Sequence, residues 1–105
     1  MENRFFKILT PHQWQCFEKE RVFWGSELDQ KDGFIHLSFH HQWNKTWQKF
    51  SNSDECYLLE IDGDTLRPDF LKIESNRLGG EKYPHYYANI LLSSVKSHQL
   101  IKNVM

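Results

Sequence analysis

At 105 residues the chain has the size of one ordinary domain, and a net charge of −1 with a pI near 6.6 gives no basic footprint for sequence-independent nucleic-acid binding. Aromatic residues are 15%, hydrophobic residues 39% and charged residues 26%, a balance that fits a compact soluble domain and argues against a disordered chain. No stretch approaches the roughly 18 apolar residues of a membrane helix, and Phe5-Phe6-Lys7-Ile8-Leu9 is far too short for a signal core, so the expectation is a cytoplasmic protein without a membrane partner.

Phe5 to Leu9 reads as a first strand. Thr10 then caps a helix: its hydroxyl can accept from orphan amides, Pro11 fits the first helical position, and Gln13 completes a capping box. Leu9 and Trp14 are spaced for a hydrophobic staple, and Trp14 and Phe17 share a face that should be buried. This helix fades near Lys19 to Arg21. Val22-Phe23-Trp24 is a short strand or a packed loop, and Gly25-Ser26 and Asp29 to Gly33 are turn-like.

Phe34 to Ser38 is a strand that puts Phe34, His36 and Ser38 on one side and Ile35 and Leu37 on the other. A second helix is expected from about Phe39 to Phe50, with Phe39, Trp43, Trp47 and Phe50 as a core stripe, ending in a loop at Ser51 to Asp54. Cys56 to Ile61 is a near-continuous apolar run, which predicts a strand covered on both faces. Asp62-Gly63 is a turn, Phe70 to Glu74 a short strand and Asn76 to Lys82 a polar loop. Tyr83 to Leu92 and Val95 to Ile101 are the last strands. Helices early and strands late give an α+β domain with two main helices. Cys16 and Cys56 lack Cys-x-x-Cys spacing and read as buried free thiols.

His36 is the first candidate for chemistry. It can donate, accept or bind metal, and Ser38 adds a hydroxyl on the same face. His40 and His41 lie close by, but they point in different directions around a helix and supply no zinc spacing, so no metal is expected. Tyr83-Pro84-His85-Tyr86-Tyr87 is the second cluster, with His85 and Tyr87 on one face, suited to stacking on a planar ligand. Glu74, at a strand end, could orient a ligand hydroxyl or act as a base. Nucleotide-loop motifs and the Gly-x-Ser-x-Gly elbow are missing.

Read together, Lys7-Ile8-Leu9-Thr10 before Trp14, Asp32-Gly33-Phe34-Ile35-His36-Leu37-Ser38 with Gln42, Leu58-Leu59 with Ile61-Asp62, Lys72-Ile73-Glu74 and Tyr83-Pro84-His85-Tyr86-Tyr87 form a pattern spanning nearly the whole chain. The pattern resembles the small bacterial family known as domain of unknown function 952. The resemblance implies a compact fold of mixed and antiparallel strands like that of ADP-ribosyltransferases and RNA 2′-phosphotransferases. It also implies that His36 and Ser38 hold a ribose or phosphate, that His85 and Tyr87 close the cleft, and that Glu74 is a counterpart of the transferase glutamate. Tyr87-Ala88 replaces the Tyr-Gly common in relatives, which would narrow a backbone approach.

The residues themselves specify no cofactor; the resemblance admits NAD as substrate or ligand. The first function it implies is a nucleotide or ADP-ribose-type ligand domain acting as a transferase. The alternatives are a non-catalytic binding module and RNA 2′-phosphotransfer, and the near-neutral charge argues against the latter. The oligomeric state is left open.

Overall fold

A computed structural model describes residues 3–50 and 53–103, so Ser51 and Asn52 of the expected loop lie outside the described residues. The chain runs β1 (Arg4–Leu9), α1 (Pro11–Glu20), β2 (Val22–Phe23), α2 (Glu27–Asp32), β3 (Ile35–His36), α3 (Trp43–Trp47), β4 (Glu55–Asp62), β5 (Leu71–Ser75), β6 (Lys82–Tyr86), β7 (Ile90–Leu91) and β8 (Val95–Lys102). Three antiparallel sheets result, in the orders β1-β4-β8, β2-β7 and β3-β6-β5. This is the expected α+β architecture. Among the described residues no helix is long and apolar enough to cross a membrane.

Strands β1 and β4 explain the core. Along β1 and β4 alternate residues point to opposite sides. Phe5, Leu9, Leu59 and Ile61 join Trp14 and Phe17 of α1 in the larger cluster. Phe6, Ile8, Cys56 and Leu58 join Trp47 of α3 in a smaller one. Both faces of β4 are therefore covered, as its apolar run predicts. Each fully buried aromatic contributes about 1.5–3 kcal/mol, so Phe5, Phe6, Trp14, Phe17 and Trp47 anchor both clusters. The predicted cap of α1 is present in full: Thr10 Oγ1 accepts from the Gln13 amide at 3.2 Å, and Gln13 Oε1 accepts from the Thr10 amide at 2.9 Å.

Five sequence expectations change. The segment read as a turn, Asp29 to Gly33, belongs to a third helix, α2. Ser26 caps it, accepting from the Asp29 amide at 3.2 Å, and Gly33 ends it with φ +85°. The second helix begins at Trp43, not Phe39. Residues 39–42 form a turn closed by the Gln42 amide on the Phe39 carbonyl at 2.9 Å, and exposed His40 and His41 sit in it.

The strand read over Phe34 to Ser38 keeps only Ile35–His36 in its ladder with β6, after which the chain changes partner. The Leu37 amide donates to the Pro84 carbonyl at 3.0 Å, and Ser38 bridges Phe6 of β1. This exchange joins two sheets and brings His36 beside Lys7. The strand read over Tyr83 to Leu92 breaks after Tyr86, where the Tyr87 amide donates to the Phe70 carbonyl at 2.8 Å and the following residues move to β2. Finally, Cys56 is buried but Cys16 is half-exposed, with Sγ 3.7 Å from His12 Nε2 one turn earlier, because Trp14 and Phe17 occupy the core face of α1.

Candidate functional site

Asp29 is the structural centre of the site and only 2% exposed. The cap that starts α2 turns its carboxylate inward, where the Ser26 amide donates to it at 2.8 Å. Lys7 of β1 reaches it with Nζ at 2.9 and 3.1 Å from its two oxygens. The His36 amide donates at 3.1 Å, and His36 Nδ1 lies 2.6 Å away. Lys7 Nζ also donates to the His36 carbonyl at 2.8 Å.

Burial disfavours the Asp29 carboxylate. The His36 hydrogen bond, the Lys7 charge and the Ser26 and His36 amides outweigh that penalty and hold its carboxyl well below the usual range. Burial pulls the Lys7 ammonium below its ordinary value, with Asp29 opposing. At the other side of the imidazole, Asp32 Oδ2 stands 2.9 Å from His36 Nε2. Each ring nitrogen of His36 therefore faces a carboxylate oxygen, Asp29 on one side and Asp32 on the other.

This network forms the polar floor of a cleft of about 580 Å³, within the roughly 300–1,000 Å³ range of small-molecule sites. Ser38 and Thr46 line it with hydroxyls 3.1 Å apart, while Phe6, Ile8 and Phe50 add an apolar wall. Lys49, Asn76 and Tyr83 line both this cleft and an adjoining cavity of about 420 Å³.

Gln42 fixes one side. Its Oε1 accepts from the Phe39 amide at 3.0 Å, and its Nε2 donates to Glu81 Oε2 and the Lys82 carbonyl, both at 2.8 Å. Gln42 is thereby committed to tying α3 to β6.

The other expected site residues form a second group. His85, 1% exposed, places Nδ1 2.9 Å from Glu74 Oε1, and the same oxygen accepts from the Tyr87 hydroxyl. Those two hydrogen bonds, Tyr87 first, pull the Glu74 carboxyl below its ordinary value, and the phenol is pushed up in turn. Phe34 stacks on the His85 ring at 4.0 Å between centroids and contacts Tyr87 at 5.2 Å. His36 and His85 are cross-strand partners with centroids 5.8 Å apart. His85 Nε2 is buried and has no hydrogen-bond partner among the described residues.

His36 and Ser38 thus line the cleft. Glu74, His85 and Tyr87 stand together outside its lining, joined to it through Phe34 and the His36–His85 pair. Glu74 is not part of the cleft lining. Lys7, Asp29, Asp32 and Thr46 were not expected as site residues. Lys7 and Asp32 stood out in the sequence only within the family pattern, and the Ser26-x-x-Asp29 capping pattern is the local signal for Asp29. Among the described residues no group of three His, Cys, Asp or Glu side chains is arranged to hold a metal ion.

The compact α+β fold is shared beyond this chain. Residues 8–98 match the family described as "Protein of unknown function (DUF952)", and the chain belongs to that family. It is similar to protein CC0527 from Caulobacter crescentus. The X-ray structure of that protein is 34% identical with a TM-score of 0.82, over 91% of this chain and 83% of that one. The solution NMR structure of CC0527 gives 33% identity and a TM-score of 0.80, over 93% and 84%. No curated protein matches the chain.

Proposed function

We propose that the cleft over Lys7, Asp29 and His36 binds a nucleotide or ADP-ribose-type ligand and serves a transferase reaction on it. The observation that carries this reading is the buried Lys7–Asp29–His36 network at the floor of a cleft of ligand size. A buried carboxylate with four donors costs too much to assemble for packing alone, and it fixes the direction of the imidazole. A ribose hydroxyl would replace Asp32 at His36 Nε2, Ser38 would hydrogen-bond a neighbouring oxygen, and the apolar wall would take the planar base. Glu74, His85 and Tyr87 would act through His36 as a positioning group. The likeness to ADP-ribosyltransferases, and NAD as substrate, belong to this proposal.

Calorimetric titration with ADP-ribose and with NAD tests it. Binding is expected, and His36→Ala should weaken it about tenfold, the loss of one hydrogen bond. No heat at millimolar ligand, or equal binding by the variant, would overturn the reading. A non-catalytic binding module is the second reading, favoured by the Glu74 carboxylate's engagement with His85 and Tyr87 outside the cleft lining. Release of nicotinamide from NAD in an activity assay would reject it.

A further inference from the structure

The cavity that continues from the cleft is lined by Lys45, Lys49, Arg77, Gly80, Glu81 and Tyr83, together with Asn76. Its charges do not cancel. Glu81 is engaged by Lys45 Nζ at 2.7 Å and by Gln42 Nε2 at 2.8 Å, and those two contacts hold its carboxyl below the ordinary value. The Lys45–Glu81 pair is therefore neutral. Among the described residues, Lys49 and Arg77 have no carboxylate within ion-pair distance, and the cavity keeps an excess of positive charge beside the Asn76 amide and the Tyr83 hydroxyl.

Gly80 contributes by what it lacks. A Cβ there would stand 2.9 Å from Cγ and 3.3 Å from Nε of Arg77, so the arginine side chain lies folded over the glycine. The Gly80 amide donates to the Arg77 carbonyl at 3.0 Å, which closes that turn.

We infer that this extension is a phosphate subsite, in which Lys49 supplies a point charge and Arg77 a planar fork to the same phosphoryl oxygens. Lys49, Asn76 and Tyr83 line both cavities. A single ligand therefore spans them, with its phosphoryl group at Lys49 and Arg77 and its sugar at His36. That orientation rests on the proposed function, whereas the anion site itself does not.

Calorimetry with inorganic pyrophosphate, ADP-ribose and adenosine separates the two. The proteins are the wild type, the Lys49→Gln/Arg77→Gln double variant, Gly80→Ala, His36→Ala, and Lys96→Gln as a control on the exposed strand β8. Circular dichroism establishes that each is folded. Pyrophosphate should bind the wild type and weaken with added salt. The double variant should lose about tenfold or more for pyrophosphate and ADP-ribose but stay within about twofold for adenosine, which lacks a phosphate. Gly80→Ala should shift both phosphorylated ligands in the same direction by displacing Arg77. Lys96→Gln should change nothing.

Pyrophosphate that fails to bind the wild type, or binds the double variant and the control equally, overturns the subsite. Pyrophosphate lost in the double variant while His36→Ala leaves ADP-ribose unchanged supports the anion site and overturns the main-cleft reading. Pyrophosphate bound without ADP-ribose identifies a site for free phosphate and overturns the spanning ligand.

Discussion

Truncating Asp29 to alanine removes the acceptor on which four donors converge, and the cost follows from what is left behind. Lys7 Nζ keeps only the His36 carbonyl, and the Ser26 and His36 amides and His36 Nδ1 lose their partner. Removing one partner of a buried ion pair costs about 3–5 kcal/mol because the other charge stays buried. For a domain of this size that lowers the midpoint of thermal unfolding by about 12 °C or more.

Lys7→Met should cost less, since Asp29 retains His36 and two backbone donors. The double variant Lys7→Met/Asp29→Leu, which removes both charges from the buried pair, should be more stable than Asp29→Ala. Urea and thermal unfolding followed by circular dichroism measure all three. A loss under about 1 kcal/mol for Asp29→Ala, or a double variant no more stable than that single, would refute the assignment of Asp29 as a buried, ionised hub.

Other expectations follow from the same geometry. Gln42→Leu strands the Phe39 amide and the Lys82 carbonyl, and should cost about 1–3 kcal/mol in urea unfolding. Asp29 has a folded-state carboxyl below its unfolded value of 3.8, so its contribution is present above about pH 4 and is lost as the pH falls further; stability measured from pH 6 to 2 should drop there in the wild type and less in Asp29→Asn. Cys56 is buried and its thiol is pushed up chiefly by that burial, while Cys16 is half-exposed; a thiol reagent should modify Cys16 in the native protein and Cys56 only after denaturant is added. Equal rates for the two would contradict the core assignment of Cys56.

The strongest local signals translated directly into structure. Thr10-Pro11 with Gln13 wrote the start of α1, and the apolar run from Cys56 to Ile61 wrote an interior strand, because caps and burial patterns are properties of a few neighbouring residues. Helix α2 was hidden. Its six residues include one apolar side chain, Leu28, which is exposed, so no amphipathic period exists to read. Its capping box carries Asp at the position where Glu or Gln is usual.

The site was half legible for the same reason. His36 and Ser38 announced themselves by alternation on a short strand. Lys7 and Asp29 meet across 22 positions of sequence, and only the chain's exchange from β6 to β1 at Ser38 brings their partner His36 between them. The long helix read from Phe39 failed because Gln42 turns inward to bond β6, leaving residues 39–42 as a turn.

The proposed function stands or falls with ligand binding in the cleft over Lys7, Asp29 and His36. A map of backbone amide chemical shifts during titration with ADP-ribose tests it most directly. Saturable shifts are expected at His36, Leu37, Ser38 and Thr46 and through α2, with β8 unmoved. Shifts confined to β8 or to the β2-β7 pair, or none at millimolar ligand, would contradict it.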